Sequence, residues 1–203
     1  MAPTKTSRIP VRDRILAAAS ELFYREGVQN VGVDRIIAES GVAKMSLYNH
    51  FKSKDALIAA WLEEQDDRWR TCFKAKVEAL ATDPCDRILV VFDMLKDWFE
   101  EPDFRGCAFI NSAVELVHSN HPGYQVALAH NQATYAFILT LVNAAQLPNP
   151  ESLTQQITLL MEGATVVAMI QKNAAVALQA KQAAATLLVA AGAPINLEHL
   201  LAG

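Results

Sequence analysis

The chain has 203 residues, 52% of them apolar, and a formal net charge of -4 at pH 7, which suffices for one large domain or a small one joined to a larger one. Its longest apolar runs are alanine-rich and broken by Gln, Lys or Asn short of the roughly 20 residues a membrane span needs, and no hydrophobic signal segment opens the sequence. A cytoplasmic protein without a membrane partner is expected, and the odd set Cys72, Cys85 and Cys107, without C-x-x-C spacing, argues against a disulfide framework or a structural zinc site.

Helical periodicity runs through almost the whole chain. In "VRDRILAAASELFYREG" the residues Ile15, Ala19, Leu22 and Phe23 recur at spacings of three and four, and Gly27 stands where a left-handed cap would stop the helix. "VDRIIAES" presents Val33, Ile36 and Ile37 on one side and ends at Gly41, while "KMSLYNHF" presents Leu47 and Phe51 one helical turn apart. Ser53 can cap a fourth helix with Asp55 at its positive end, running through Leu57 and Trp61 toward Leu80. Beyond Asp83 and Pro84 the pattern predicts helices over 88–99, 106–118, 123–145, 153–172 and 175–189, punctuated by prolines 102, 122, 148, 150 and 194. No strand alternation and no fixed-period repeat is present, so the fold class is all-α and not a solenoid.

The charge is unevenly placed. Residues 1–60 carry nine Lys and Arg against six Asp and Glu, whereas residues 61–203 carry nine against sixteen. A mildly acidic protein can therefore bind a polyanion with its amino-terminal part, if the positive groups share a face. Two short helices around Gly41, the second with Leu47 and Phe51 turned inward, describe a helix-turn-helix. That geometry leaves Lys44, Met45, Ser46, Tyr48, Asn49 and His50 on outer or flanking faces. Lys44 and Asn49 can hydrogen-bond base edges, Met45 can touch a thymine methyl, and Ser46, Tyr48, His50 and Lys54 suit phosphate oxygens. Taken singly, Tyr48 and Phe51 read as ordinary core aromatics; beside Lys44, His50 and Lys54 the DNA reading prevails. Arg8, Arg12 and Arg14 read either as a solvated flank or as a minor-groove arm.

The run "VDRIIAESGVAKMSLYNHFKSKDAL", preceded by "ILAAASELFYREG", resembles the amino-terminal domain of the TetR family of transcriptional regulators. The matching pattern is Gly41, Val42, Leu47, Tyr48, His50, Phe51, Lys54 and Leu57, within about residues 11–60. The resemblance implies that Tyr48, His50 and Lys54 contact phosphates and that Lys44, Met45, Ser46 and Asn49 read sequence. Gly32 departs from the family pattern where many members have a capping threonine, and Met45 where many have a small residue. The resemblance also implies a DNA-binding domain over 1–60, with 1–10 as a flexible arm, and a helical ligand-binding and dimerisation domain over 61–203.

Large apolar and aromatic side chains concentrate between residues 61 and 110. Trp61, Trp69, Phe73, Phe92, Leu95, Trp98, Phe99, Phe104, Phe109 and Ile110, with Met94 among them and Asn111 as a polar group that can orient a ligand, are the candidate pocket wall for a largely apolar effector. Each is singly explicable as core packing. Tyr135, Ile138, Leu139 and Val142, and Leu159, Leu160, Gly163, Ala164 and Val167, form apolar stripes suited to a homodimer interface. Glu115-x-x-His118, with His121 one turn on, has the spacing of a di-iron ligand pair, but no second Glu-x-x-His occurs and a helix-end histidine near Pro122 is the better reading. No local signature supports a catalytic Cys-His pair on Cys107 or Cys72. The expectation is a ligand-responsive repressor that binds a palindromic double-stranded operator as a homodimer, with no catalytic residue, metal or cofactor assigned. A helix-bundle enzyme or metal protein using Glu115 and His118, and a ligand-binding protein with a merely structural helix-turn-helix, are the competing classes.

Overall fold

The computed structural model describes residues 9–196; the proposed arm over 1–10, including Arg8, lies almost entirely outside the described residues. Among these residues the chain forms α-helices and no strand: α1 (Val11–Glu26), α2 (Val33–Ser40), α3 (Lys44–His50), α4 (Lys54–Leu80), α5 (Pro84–Phe99), α6 (Ala108–Glu115), α7 (Pro122–Ala144), α8 (Pro150–Gln171) and α9 (Val176–Ala190). They build two compact units, one of residues up to Gln65 together with Ala108–Leu128, the other of Asp66–Cys107 with the residues from Ala129 onward.

In the amino-terminal unit α1 packs on α2 and α3. Ile15, Ala19, Leu22 and Phe23 of α1, Ile36 of α2 and Leu47 of α3 are all buried, the side predicted by their spacing. Gly27 ends α1 with a positive φ, but at φ 88° and ψ 151° it is not in the left-handed helical cap expected of it. Gly41 does take that conformation, at φ 61° and ψ 37°, and turns the chain between α2 and α3. Ser53 Oγ accepts from the Ala56 N–H at 3.1 Å and so caps the start of α4.

Residues 108–128 pack with this unit although they lie far along the chain. The predicted helix over 106–118 is shorter, Ala108–Glu115, and Pro122 begins α7 instead of separating two helices. Proline suits a first helical position because the N–H it lacks has no partner there. The same rule extends α5 back to Pro84, with the Asp83 carboxylate accepting from Cys85 N at 2.8 Å and Asp86 N at 3.2 Å. Such a cap is worth about 1 kcal/mol.

The second unit is centred on α5, α8 and α9, which pack on one another. Ile88, Val91 and Phe92 of α5 meet Ile157, Met161 and Ala168 of α8 in a core that includes Ala177, Ala184 and Ala185 of α9. The small α9 side chains let the backbones approach closely. Lys181 of α9 is ion-paired with Asp93 of α5 at 2.6 Å. Among the described residues one helix, Pro150–Gln171, is long and apolar enough to cross a membrane by length and composition. Its apolar residues are divided between two faces: Leu153, Ile157, Met161, Ala164 and Ala168 are buried in the chain's own core, while Leu159 (64%), Val167 (38%) and Ile170 (71%) remain exposed. Ile138, Val142 and Ala164, expected on a dimer face, are instead sealed in this core. The stripe that stays available is Leu159, Gly163 and Val167, with Ile170 added one turn further.

Candidate functional site

The helix-turn-helix displays its polar side chains because its apolar ones are committed elsewhere. Leu47 is fully buried and Phe51 nearly so, which leaves Lys44, Met45, Tyr48, Asn49 and His50 exposed and Ser46 half-buried on the remaining faces of α3. Met45, 69% exposed, contributes nothing to the folded core and is free to meet another surface. Lys44 Nζ sits 3.1 Å from Asp34 Oδ1, and this hydrogen bond raises its pKa. Both partners are well exposed, so the pair can open toward another anion at little cost. Lys54 is half-buried; desolvation pushes its ammonium group toward the neutral form, while the charges of Asp55 and Glu115 oppose that shift.

Two arginines prove to be structural supports of this surface, a role the sequence reading missed. Arg14 Nη2 donates to the carbonyls of Ser40 at 2.5 Å and Gly41 at 2.8 Å, so the side chain read as a flank or a minor-groove arm instead caps the end of α2. Arg12 lies over the Phe51 ring, 5.4 Å from its centroid. Gly32 begins α2 with no side-chain cap, as its lack of a side chain requires. The turn before α2 is braced by a bidentate pair from Arg35 to Glu26, both bonds 2.9 Å long.

A helix-turn-helix with this outward set of residues matches the family model described as bacterial regulatory proteins, tetR family, over residues 15–61. Similarity extends beyond that segment. A crystal structure of a tetR-type transcriptional regulator, sav143 from Streptomyces avermitilis, has 34% sequence identity and a TM-score of 0.80, the match covering 90% of this chain and 98% of that one. This chain belongs to the TetR family of transcriptional regulators. A TetR-family regulator from Streptomyces coelicolor is 28% identical with a TM-score of 0.83, the match covering 89% of this chain and 95% of that one. The transcriptional repressor DhaR of Mycobacterium sp. (strain GP1) is 30% identical over 110 residues, spanning only about half of each protein, 54% in both cases. As a TetR-family member the chain is a DNA-binding transcriptional regulator, and α2 with α3 is its helix-turn-helix.

Met94 is partly buried against the core of the second unit, and the other eleven residues proposed to wall an effector pocket are divided between the two units of this regulator. Trp61, Phe109, Ile110 and Asn111 fall in the amino-terminal one, where Trp61 packs on Phe23 at 5.4 Å and donates from Nε1 to Ser20 Oγ at 3.1 Å. Trp61 is thus a pillar of the DNA-binding unit, 2% exposed. The other seven lie in the second unit, where Phe92 and Leu95 are buried and the rest form two aromatic groups. In one, Trp69 stacks on Phe73 with centroids 4.3 Å apart, and Phe137 meets Phe73 edge-on at 5.8 Å. In the other, Phe104 contacts Trp98 at 5.1 Å and Phe99 at 4.9 Å.

Beside the first group is a polar cluster that no sequence signal marked. His130 Nδ1 is 2.7 Å from Asp66 Oδ1, the other carboxylate oxygen of Asp66 is 2.5 Å from Arg70, and Trp69 lies edge-on to the imidazole at 4.9 Å. Burial lowers the His130 pKa, and the Asp66 carboxylate only partly opposes this. For Asp66 burial acts upward, but hydrogen bonds from Arg70 and His130 outweigh it and the carboxyl sits below its ordinary value. Glu115, first considered as half of a metal-ligand pair, has a different partner: Oε2 accepts from the Gln29 backbone N–H at 2.8 Å.

Proposed function

We propose that this regulator is a cytoplasmic repressor that binds a palindromic operator as a homodimer and is released by a small, largely apolar effector. The observation that carries the DNA part is the separation on α3: Leu47 and Phe51 are buried while Lys44, Met45, Tyr48 and Asn49 are exposed together. Lys44, Met45, Ser46 and Asn49 then read base edges, and Tyr48, His50 and Lys54 hold phosphates. Dimerisation is supported by the exposed α8 stripe of Leu159, Val167 and Ile170 around Gly163, where an added Cβ would meet nothing within 4 Å. A second copy of the same face would bury it and present two recognition helices to major grooves about 34 Å apart. Repression accords with the role of the transcriptional repressor DhaR, to which about half of this chain is similar.

The effector reading rests on the aromatic groups of the second unit, Trp69 with Phe73 and Trp98 with Phe104. The helix α4, continuous from Lys54 to Leu80, offers a route by which an effector could change the spacing of the two α3 helices. Coupling of that kind is reciprocal, so operator weakens effector binding by the same factor as effector weakens operator binding.

The test is selection of duplexes from random DNA by the purified protein and by variants. The expected motif is palindromic, with affinity falling steeply as salt rises. Tyr48→Phe and Lys54→Ala should weaken all duplexes alike, whereas Asn49→Ala should lose ~5- to 100-fold of discrimination at particular bases. One motif recovered from every variant would remove Asn49 from the base-reading set.

A further inference from the structure

Glu115 ends α6, and its partners lie 86 residues away along the chain, in the turn that joins α1 to α2. The Gln29 N–H donates to Oε2 at 2.8 Å, and the Gln29 side-chain amide donates back to the Glu115 carbonyl at 3.4 Å. The same turn opens with Gly27, whose φ of +88° disfavours a side chain. A Cβ there would also lie 2.8 Å from Oε1 and 2.9 Å from Oε2 of Glu115, so the missing side chain is what admits the carboxylate. This glycine answers a conformational and a steric demand at once.

Other contacts hold the segment after α6 against the same unit. His121 Nδ1 accepts from the Gly123 N–H at 3.0 Å, which leaves Nε2 as the protonated nitrogen facing Asp55 Oδ1 at 3.3 Å. Gly123 is closely covered, with Ile58 Cγ2 and Leu116 Cδ1 at 2.8 and 2.9 Å from where its Cβ would be. Residues 108–128 therefore grip both the start of α4 and the turn before α2. The turn has a second brace, the Glu26–Arg35 pair, but that pair joins α1 to α2 and carries no information about α6.

We propose that Glu115 is a positioning residue for DNA binding: its carboxylate pins the Gln29 amide and the Gly27 turn to α6, and so sets how α2 enters the helix-turn-helix and how α3 is presented. A charge-assisted bond to a backbone N–H is stronger than a neutral one and directional, so it fixes the position of the turn. α2 starts at Val33, four residues beyond Gln29, and packs against α3, so a displaced turn moves the recognition helix. Movement of α6 then reaches DNA through the α1–α2 turn. The inference rests on the DNA-binding reading and adds a residue that makes no contact with DNA.

The experiment measures amide hydrogen exchange at Gln29, and affinity for a duplex selected by the wild-type protein, at a temperature where every variant is fully folded by circular dichroism. Glu115→Ala should speed Gln29 exchange and weaken the duplex by ~5- to 20-fold. Glu115→Gln should restore both in part, because its amide oxygen accepts the same N–H without the charge. A residue that only supports overall stability would not change affinity in the folded protein or be rescued in this pairwise way. Gly27→Ala should mimic Glu115→Ala, and the double variant should be no worse than Gly27→Ala alone, since both changes break one contact. Unchanged Gln29 exchange in Glu115→Ala, or unchanged affinity with faster exchange, overturns the proposal while leaving DNA binding intact. A wild-type protein that selects no duplex overturns the DNA-binding reading and this proposal together.

Discussion

Arg14 and His130 each hold groups that lie far from them along the chain. Arg14 brings a positive charge to the carbonyls at the end of α2, where the helix dipole is negative, and holds Ser40 and Gly41 with two donors from one nitrogen. Arg14→Ala should cost about 1 to 2 kcal/mol, read from urea denaturation, and should weaken DNA binding because the turn is no longer held. His130 gives a pH dependence whose sign follows from its lowered pKa. The unfolded chain takes up this proton near the ordinary value of 6.5 whereas the folded chain resists it, so the unfolded state binds more protons and stability falls as pH drops below 6.5. Asp66 acts the same way at lower pH: its stabilisation is present above its ordinary 3.8 and disappears as pH falls through its lower folded value. The melting temperature should therefore fall between pH 7 and 5, and fall less in His130→Gln, whose amide can still donate to Asp66. Equal slopes for the two proteins would assign the acid sensitivity to other groups.

Among the elements, α7 shows how context overrides propensity. Replacing a helical glycine by alanine ordinarily stabilises by up to about 1 kcal/mol, and less in a first turn such as that of Gly123. Here the new methyl would meet Ile58 and Leu116, which are 2% and 3% exposed and would have to shift within a packed core. Overpacking costs about 1 to 3 kcal/mol, so Gly123→Ala should be destabilising on balance, by about 1 kcal/mol or more. Thermal denaturation checks the sign; a stabilised variant would mean that the methyls of α4 and the α6–α7 segment yield easily. In α8 the two faces make opposite demands. Ile157→Ala should cost about 2 to 5 kcal/mol because it opens a cavity in the core, whereas Leu159, 64% exposed, tolerates truncation within the monomer.

For the whole molecule, the proposed homodimer rests on the exposed α8 face of Leu159, Val167 and Ile170. Val167→Lys should disturb the folded subunit little, since Val167 is 38% exposed and a lysine can extend into solvent, yet in a dimer that buries this face it would place an unpaired charge at a close helix contact. Sedimentation should show the wild type as a dimer and the variant as a monomer, with operator affinity reduced because each monomer reads one half-site. An intact dimer in Val167→Lys would move the interface to another face.

The sequence by itself determined the helices, the helix-turn-helix and which way its side chains point. Those are consequences of local spacing: Leu47 and Phe51, four residues apart, must share a face, and their burial in the core turns Lys44, Met45 and Asn49 outward. Family membership was legible for the same reason, since the pattern from Gly41 to Leu57 is contiguous. Periodicity says that a face is apolar but not what covers it. Ile138 and Ala164 thus read as dimer contacts although the chain's own core encloses them, and Trp61 read as pocket although Phe23 and Ser20 hold it. Contacts between distant segments leave no periodic trace at all. Only the tertiary structure could join His130 to Asp66 across 64 residues, Glu115 to Gln29 across 86, and Arg14 to the end of α2, because a lone polar residue becomes a partner only when folding brings a complementary atom within hydrogen-bonding reach.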